Sequence, residues 1–187
     1  MAEQPLARTL SRIRRATRAS RVTIDVEEAC RTCERLRRLD RRIVFTNGVF
    51  DLFHLGHLRL LTAARSLGDA LVVGVNSDES VRRLKGRERP VVSQFARAEI
   101  VASVRGVDCV VIFDQDDPRA LLGSLRPDVL AKGSEYSLSQ VVGRRIVEGY
   151  GGRVVLVPHL EGFSSTRLAA RQRIGFPALP TRRKSVQ

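Results

Sequence analysis

No apolar run in this chain is long enough to cross a bilayer. A spanning helix needs about 20 consecutive apolar residues, and here a hydrophobic content of 43% is interrupted throughout by charge. The first residues hold no apolar stretch ahead of a small-residue cleavage site, so no signal peptide is expected. Cysteine is scarce. Three of them, Cys30, Cys33 and Cys109, do not suggest a disulfide framework, and a reducing, cytoplasmic setting is expected. Aromatic residues make up 5% of the chain, and its basic segments lack the interleaved rings on which single-stranded nucleic acid stacks. Internal repeats and low-complexity linkers are also missing.

Positive charge is what the chain has in excess. The net charge is +13 over 187 residues, which invites a nucleic-acid reading. Its distribution weakens that reading. Residues 1–21 carry six Arg against one Glu, and residues 169–187 carry four Arg and one Lys, so +10 of the +13 lies at the ends and +3 in residues 22–168. Such ends read as solvated arms. The length suits one domain with extensions: a basic N-terminal extension over 1–21, a domain over 22–170 and a basic C-terminal tail over 171–187. Nucleic acid and membrane are not the expected partners.

Within the domain, short β-branched apolar runs alternate with helical patterns. The runs are "RIVFT" (42–46), "ALVVGV" (70–75), "VDCVVIF" (107–113), "PDVLAK" (127–132) and "RVVLVP" (153–158). Each is continuously apolar, as strands buried on both faces are. Helical patterns fall at 57–67, 93–104, 117–124, 138–149 and 165–172. Ahead of them, "RVTIDVEEACRTCERLRRLDRR" reads as one helix, with Asp25 as N-cap, Glu28 completing a capping box, and Val26, Ala29, Cys30, Cys33 and Leu36 on one face. The order predicts an α/β fold: a Rossmann-like, doubly wound, parallel five-stranded sheet with an N-terminal helix. Ligands of such sheets sit at the carboxyl ends of the strands, at the switch point.

The stretch "FTNGVFDLFHLGHLRLL" (45–61) holds two of the three histidines in the chain. It runs from the end of the first core strand into a helix expected to begin at His57, with Leu58, Leu61 and Ala64 on its buried side. Amide groups and the helix dipole favour anions there. Gly48 lets backbone approach a ligand, Gly56 allows tight packing, and Asn47 and Asp51 can brace the loop by side-chain to backbone bonds. His54 and His57 can both point at one anion and stabilise charge growing on a phosphoryl group. A capping histidine beside a half-buried one is the plainer alternative. A metal site would have only Asp51 as a nearby third ligand, so no bound metal is assigned.

These residues resemble the signature of the cytidylyltransferase-like nucleotidyltransferases, in which His54, Leu55, Gly56 and His57 fill the HxGH motif. The resemblance runs from about residue 22 to 170. "VGVNSDESVRRLKGRERPV" (73–91), "LRPDVLAKGSEY" (125–136) and "GGRVVLVPHLEGFSSTRL" (151–168) are similar to the bacterial heptose 1-phosphate adenylyltransferases. The resemblance implies that AMP passes from ATP to D-glycero-D-manno-heptose 1-phosphate, giving ADP-heptose and pyrophosphate, with Mg2+ and a homodimer. Relatives that use GTP or CTP, or glycerol 3-phosphate or FMN as acceptor, stay open, as does a binding module without turnover.

By the same resemblance, His54, His57 and Lys85 would be catalytic. Thr46, Asn47, Gly48, Phe50, Asp51 and Gly56 would line the nucleotide. Ser164, Ser165 and Thr166 would meet the outer phosphates. Lys132 and Gly133 end the fourth core strand, facing the same site. Asn76 and Asp78, read as the end of the second core strand, would approach the acceptor. Arg97 could hold a substrate phosphate or be a plain surface-helix arginine. Lys85 is placed in a flexible basic loop. Where relatives read "KGGDY", this chain has Ser134 and Glu135, and the longer carboxylate could reach sugar hydroxyls or the nucleobase. The "CRTC" cysteines read as packed residues of a helix rather than as a zinc or redox pair. His159 reads as a loop histidine.

Overall fold

A computed structural model describes residues 22–23, 25–134 and 137–158. Glu135, His159, Ser164, Ser165, Thr166, the helical pattern at 165–172 and both basic ends lie outside the described residues.

Among the described residues six parallel strands form one sheet. In chain order the elements are β1 (Val22–Thr23), α1 (Val26–Arg38), β2 (Ile43–Gly48), α2 (Leu55–Arg65), β3 (Ala70–Asn76), α3 (Asp78–Lys85), α4 (Gln94–Ser103), β4 (Cys109–Phe113), α5 (Arg119–Leu125), β5 (Val129–Gly133), a 3₁₀ turn (Leu138–Gln140), α6 (Arg144–Gly149) and β6 (Arg153–Val157). The order across the sheet is β1-β4-β3-β2-β5-β6. From β2 the chain builds outward through β3 and β4, then returns to add β5 on the other side. The switch point therefore lies between β2 and β5, where Val44 pairs with Val129 and Phe45 with Leu130.

Successive strand residues face opposite sides, and both sides are covered. One core gathers Val44, Leu71, Val73, Val110 and Ala131 against α2 and α4. The other gathers Phe45, Val72, Val111, Phe113 and Leu130 against α1, α5 and α6. This two-sided burial is why the strands read as unbroken apolar runs.

The expected architecture holds, with corrections. The sheet has six strands rather than five, because Val22 and Thr23 pair with Val110 and Val111 of β4. The stretch 21–42 is thus not one helix. Asp25 caps α1 by accepting the Glu27 amide at 2.9 Å, not that of Glu28. α2 opens at Leu55, two residues before His57. Leu61 and Ala64 are buried, but Leu58 is 39% exposed. Residues 78–85 form a helix, not a loop. Ser77 caps α3 by accepting the Ser80 amide, and Asp78 and Glu79 in the first turn against Arg82, Arg83 and Lys85 in the last suit the helix dipole. The pattern at 138–149 is broken by Gly143, at φ 90°, where an added Cβ would lie 2.2 Å from Leu122 Cδ1. The three cysteines are free thiols. Burial pushes Cys33 up to about 11 and Cys109 up to about 12, away from thiolate chemistry.

Gly74 shows how tightly the sheet is packed beneath the site. A Cβ there would lie 2.9 Å from Phe45 Cζ and 3.1 Å from both Asn47 Cβ and Phe113 Cε1. Gly74→Ala is expected to destabilise the fold by roughly 1–3 kcal/mol. A lowered urea midpoint at unchanged slope checks this, and an unchanged midpoint would mean that the two phenylalanine rings yield without cost.

Candidate active site

The site is built where β2 ends. Phe50 and Leu52 have positive φ, 52° and 49°, a conformation uncommon for non-glycine residues. These turns drive Asp51 inward until its side chain is fully buried. There it accepts the Val91 and Val92 amides, each at 3.0 Å, and pairs with Arg89 at 2.6 Å. The expected bracing role of Asp51 is met, and what it braces is the segment between α3 and α4. The groups around its carboxylate, the two amides and the Arg89 guanidinium, hold it below the ordinary carboxylate range against the opposing effect of burial.

The chain then enters α2 with His54 at the N-cap and His57 in the first turn. The two imidazoles stack, with centroids 3.8 Å apart and planes 19° apart. Phe50 and Phe53 lie 5.2 and 5.4 Å from the His57 ring. These surroundings strip water from His57. Its pKa falls to about 3, chiefly through burial and secondarily through the charges of His54 and Lys85. At neutral pH His57 is a neutral imidazole that can donate one proton and accept another. Its Nδ1 and the Thr46 hydroxyl are buried without a hydrogen-bond partner among the described residues.

A cleft of about 380 Å³ opens beside them, lined by Asn47, Gly48, Phe50, His57, Asn76, Lys85 and Lys132 among others. Seven expected site residues thus meet on one surface, at the carboxyl ends of β2, β3 and β5. Lys132 Nζ bonds the Asn47 side-chain oxygen at 2.5 Å and its carbonyl at 3.3 Å. That bridge spans the switch point and leaves the Asn47 amide N–H groups for other acceptors. Asn76 is anchored by its Nδ2 on Ser80 Oγ at 3.0 Å. The Lys85 ammonium is pulled below its ordinary value, first by desolvation, then by the charge of Arg89, with Asp51 opposing.

Arg97 and Asp78 lie elsewhere. Arg97 is not a surface arginine: it is 1% exposed. Its Nε donates to the Val92 carbonyl at 2.9 Å, Nη1 to the Val49 carbonyl, and Nη2 to the Asn76 carbonyl at 2.8 Å and Asp78 Oδ1 at 2.7 Å. Asp78 starts α3 rather than ending a strand. Neither residue lines the cleft; together they lock the loops that do. Sequence reading missed Asp116, Asp117 and Pro118 after β4 and Gln140, Val141 and Val142 after β5, which complete the wall. Their signal was positional, since each follows a strand's carboxyl end. Asp116 is paired with Arg83 at 2.7 Å. Asp117 caps the Arg119 amide at 2.9 Å.

The parallel sheet, the stacked histidines at a helix N-terminus and the two lysines that share a cleft with His57 are those of a nucleotidyltransferase. The chain belongs to the cytidylyltransferase-like family, whose model matches residues 45–171. Among curated proteins it is 54% identical over 134 residues to the bifunctional protein HldE of Koribacter versatilis and 55% identical over 128 residues to that of Geobacter sulfurreducens. These matches cover 72% and 68% of this chain. The chain spans 28% and 26% of the length of those relatives. Among solved structures it is similar to a lipopolysaccharide core biosynthesis protein from Thermoplasma volcanium, with a TM-score of 0.53 and 26% identity, covering 64% of this chain and 97% of the other. No helix among the described residues is long and apolar enough to cross a membrane.

Two predictions follow from this geometry. The His57 ring should show no protonation between pH 8 and 5 in an NMR titration of the ligand-free protein, because its folded pKa is about 3. In the unfolded chain it protonates near 6.5, so the unfolded state binds more protons in this window. His57 therefore lowers stability as pH falls from about 6.5 towards 3. A ring that titrates at 6 or above would contradict the buried, neutral assignment. Arg97→Met should cost roughly 3–5 kcal/mol in chemical denaturation, because it leaves Asp78 and three carbonyls without their donor. A cost below about 1 kcal/mol would mean that water takes over these bonds.

Proposed function

We propose that this chain transfers AMP from ATP to D-glycero-D-manno-heptose 1-phosphate, giving ADP-heptose and pyrophosphate. The observation that carries the reading is the convergence of His57, Lys85 and Lys132 on one cleft at the switch point of the sheet. The heptose acceptor is supported by the sequence resemblance and by the HldE relatives.

An oxygen of the sugar phosphate attacks the α-phosphorus of ATP in line. The new P–O bond forms as the bond to the β-phosphate oxygen breaks, and pyrophosphate leaves with the electron pair. The protein need supply no nucleophile; it orients the phosphates and stabilises the added negative charge. His54 and His57 are assigned to the α-phosphate, Lys85 and Lys132 to the triphosphate, and Thr46, Asn47, Gly48 and Phe50 to the nucleotide's bed. Ser164, Ser165 and Thr166 are assigned to the outer phosphates, and Asn76 and Glu135 to the acceptor. Mg2+ belongs to this reading as part of the nucleotide substrate, because a triphosphate carries more charge than two lysines offset. Among the described residues no group of three or more His, Cys, Asp or Glu is placed to hold a metal ion. A homodimer and a cytoplasmic setting complete the proposal.

The test is pyrophosphate release with Mg2+ and ATP, comparing the β and α anomers of heptose 1-phosphate with glycerol 3-phosphate and FMN, then GTP and CTP in place of ATP. Release that requires ATP and a heptose 1-phosphate is expected. Release with another acceptor, or none, would overturn the assignment. In the same assay His57→Ala should lower turnover by about 10²–10³-fold with the fold intact. A folded variant with a near-normal rate would remove His57 from the chemistry.

A further inference from the structure

The cleft is not uniform in charge. His57 and Lys132 line it at the ends of β2 and β5, whereas Asp116 and Asp117 line it from the loop that follows β4. β4 lies two strands from β2 and three from β5, roughly 10 and 14 Å of sheet width at ordinary strand spacing. The loop after β4 sets Asp114, Asp116 and Asp117 against two partner arginines, Arg83 and Arg119. A phosphate suits the first end and is repelled at the second.

That loop is held from β3 and α3. Ser80 Oγ donates to the Gln115 carbonyl at 3.1 Å, and Asn76 Nδ2 reaches the same carbonyl at 3.5 Å. Both oxygens of Asp117 are engaged by Arg119, Oδ1 by its amide at 2.9 Å and Oδ2 by its guanidinium at 3.3 Å. Asp116 is engaged on one side only. Its Oδ1 accepts from Arg83 Nε at 2.7 Å, and among the described residues its Oδ2 accepts no hydrogen bond. Asn76 repeats the pattern. It is 4% exposed and lines the cleft, its Nδ2 is held by Ser80 and Gln115, and its Oδ1 has no partner among the described residues. The orientation of this amide is settled by the Gln115 carbonyl, which only a nitrogen can approach as donor.

Two residues at this end of the cleft thus each keep an oxygen that can accept and cannot donate. A phosphate is itself an array of acceptor oxygens and gains nothing from them. A hydroxyl group donates, and a bond to a carboxylate is the stronger kind. We propose that Asp116, beside Asn76, is a specificity-determining residue that reads hydroxyl groups of the acceptor. The acceptor is thereby a polyol phosphate, with its phosphate towards His57 and Lys132 and its uncharged, hydroxyl-bearing part towards the loop after β4. This deepens the function proposed above and rests on its placement of the acceptor at Asn76. Arg83 does not line the cleft; it positions Asp116 from outside.

The experiment measures initial rates of pyrophosphate release by the full chain, varying MgATP and heptose 1-phosphate in turn, for wild type, Asp116→Ala, Asp116→Asn and Arg83→Met. Asp116→Ala should raise KM for the acceptor roughly 10- to 100-fold, the range for losing a hydrogen bond to a charged group. KM for MgATP and kcat should stay near their wild-type values, as expected when an interaction is equally strong in the ground and transition states. Asp116→Asn keeps an oxygen and Arg83→Met keeps the carboxylate, so each should raise the acceptor KM less. Among monodeoxy analogues of heptose 1-phosphate, one should lose as much with wild type as Asp116→Ala loses with the full acceptor, and lose nothing further with that variant. A rise in KM for MgATP instead would hand the carboxylate to the nucleotide and overturn the proposal. Equal effects of Asp116→Ala and Arg83→Met would also overturn it, since Asp116 would then only tie its loop to α3, as would analogue losses that all add to that of the variant. Should Asp116→Ala fail to fold, the same KM comparison with Asp116→Asn decides. If only glycerol 3-phosphate or FMN supports turnover, the heptose assignment fails and Asp116 is judged on the KM of that acceptor. Wild type that releases no pyrophosphate with any acceptor overturns both.

Discussion

A buried guanidinium joins two of the segments that line the cleft, those that follow β2 and end β3. Arg97 reaches from α4 to carbonyls after β2, at the end of β3 and just before its own helix, and to the first residue of α3. A charge at this depth costs several kcal/mol unless every donor is used. Here every nitrogen of the guanidinium has a partner, one of them a carboxylate. The price of that arrangement is rigidity: the end of β3, the start of α3 and the loop carrying the histidines cannot shift independently. Asp51 adds a second clasp from the opposite side of that loop. Beside these two clasps the chain holds positive φ at Phe50 and Leu52, each costing on the order of 1–3 kcal/mol.

That rigidity bears on chemistry through the dielectric. Phe50 and Phe53 crowd His57 and hold its imidazole neutral, so its N–H donor is preorganised and carries no hydration shell that must be shed. The cleft's positive charge comes instead from Lys85 and Lys132, on either side of the switch point. Division of labour of this kind suits a reaction whose substrates bring the charge with them: cations gather phosphates, and a neutral donor meets the oxygen on which charge grows. The sheet has a plain part in this. Gly74 leaves room for Phe45, Phe113 and Asn47, and Asn47 in turn receives Lys132.

Much of this was legible in the residues. The β-branched runs identified five of the six strands, because two-sided burial leaves a continuous apolar signal. The HLGH stretch marked the site, because two histidines around a glycine at a strand-to-helix turn have few structural uses. Other features left no such trace. β1 is two residues long, too short for any period. α3 reads as a basic loop because its buried face is made by Ser80 and Val81 alone. Arg97 reads as solvated because nothing in a sequence says that four carbonyl and carboxylate oxygens will converge on it. The break at Gly143 depends on Leu122, a contact made only in the folded chain. The wall formed by Asp116 to Pro118 was open to discovery, since it follows a strand's carboxyl end, but its residue types announce no chemistry.

The central claim is a single displacement at the α-phosphorus with no protein nucleophile. The direct measurement is the stereochemical course of transfer from one diastereomer of ATPαS to heptose 1-phosphate. The account predicts inversion at phosphorus in the ADP-heptose analogue. Retention would contradict it, because two displacements through a nucleotidylated side chain would then be required.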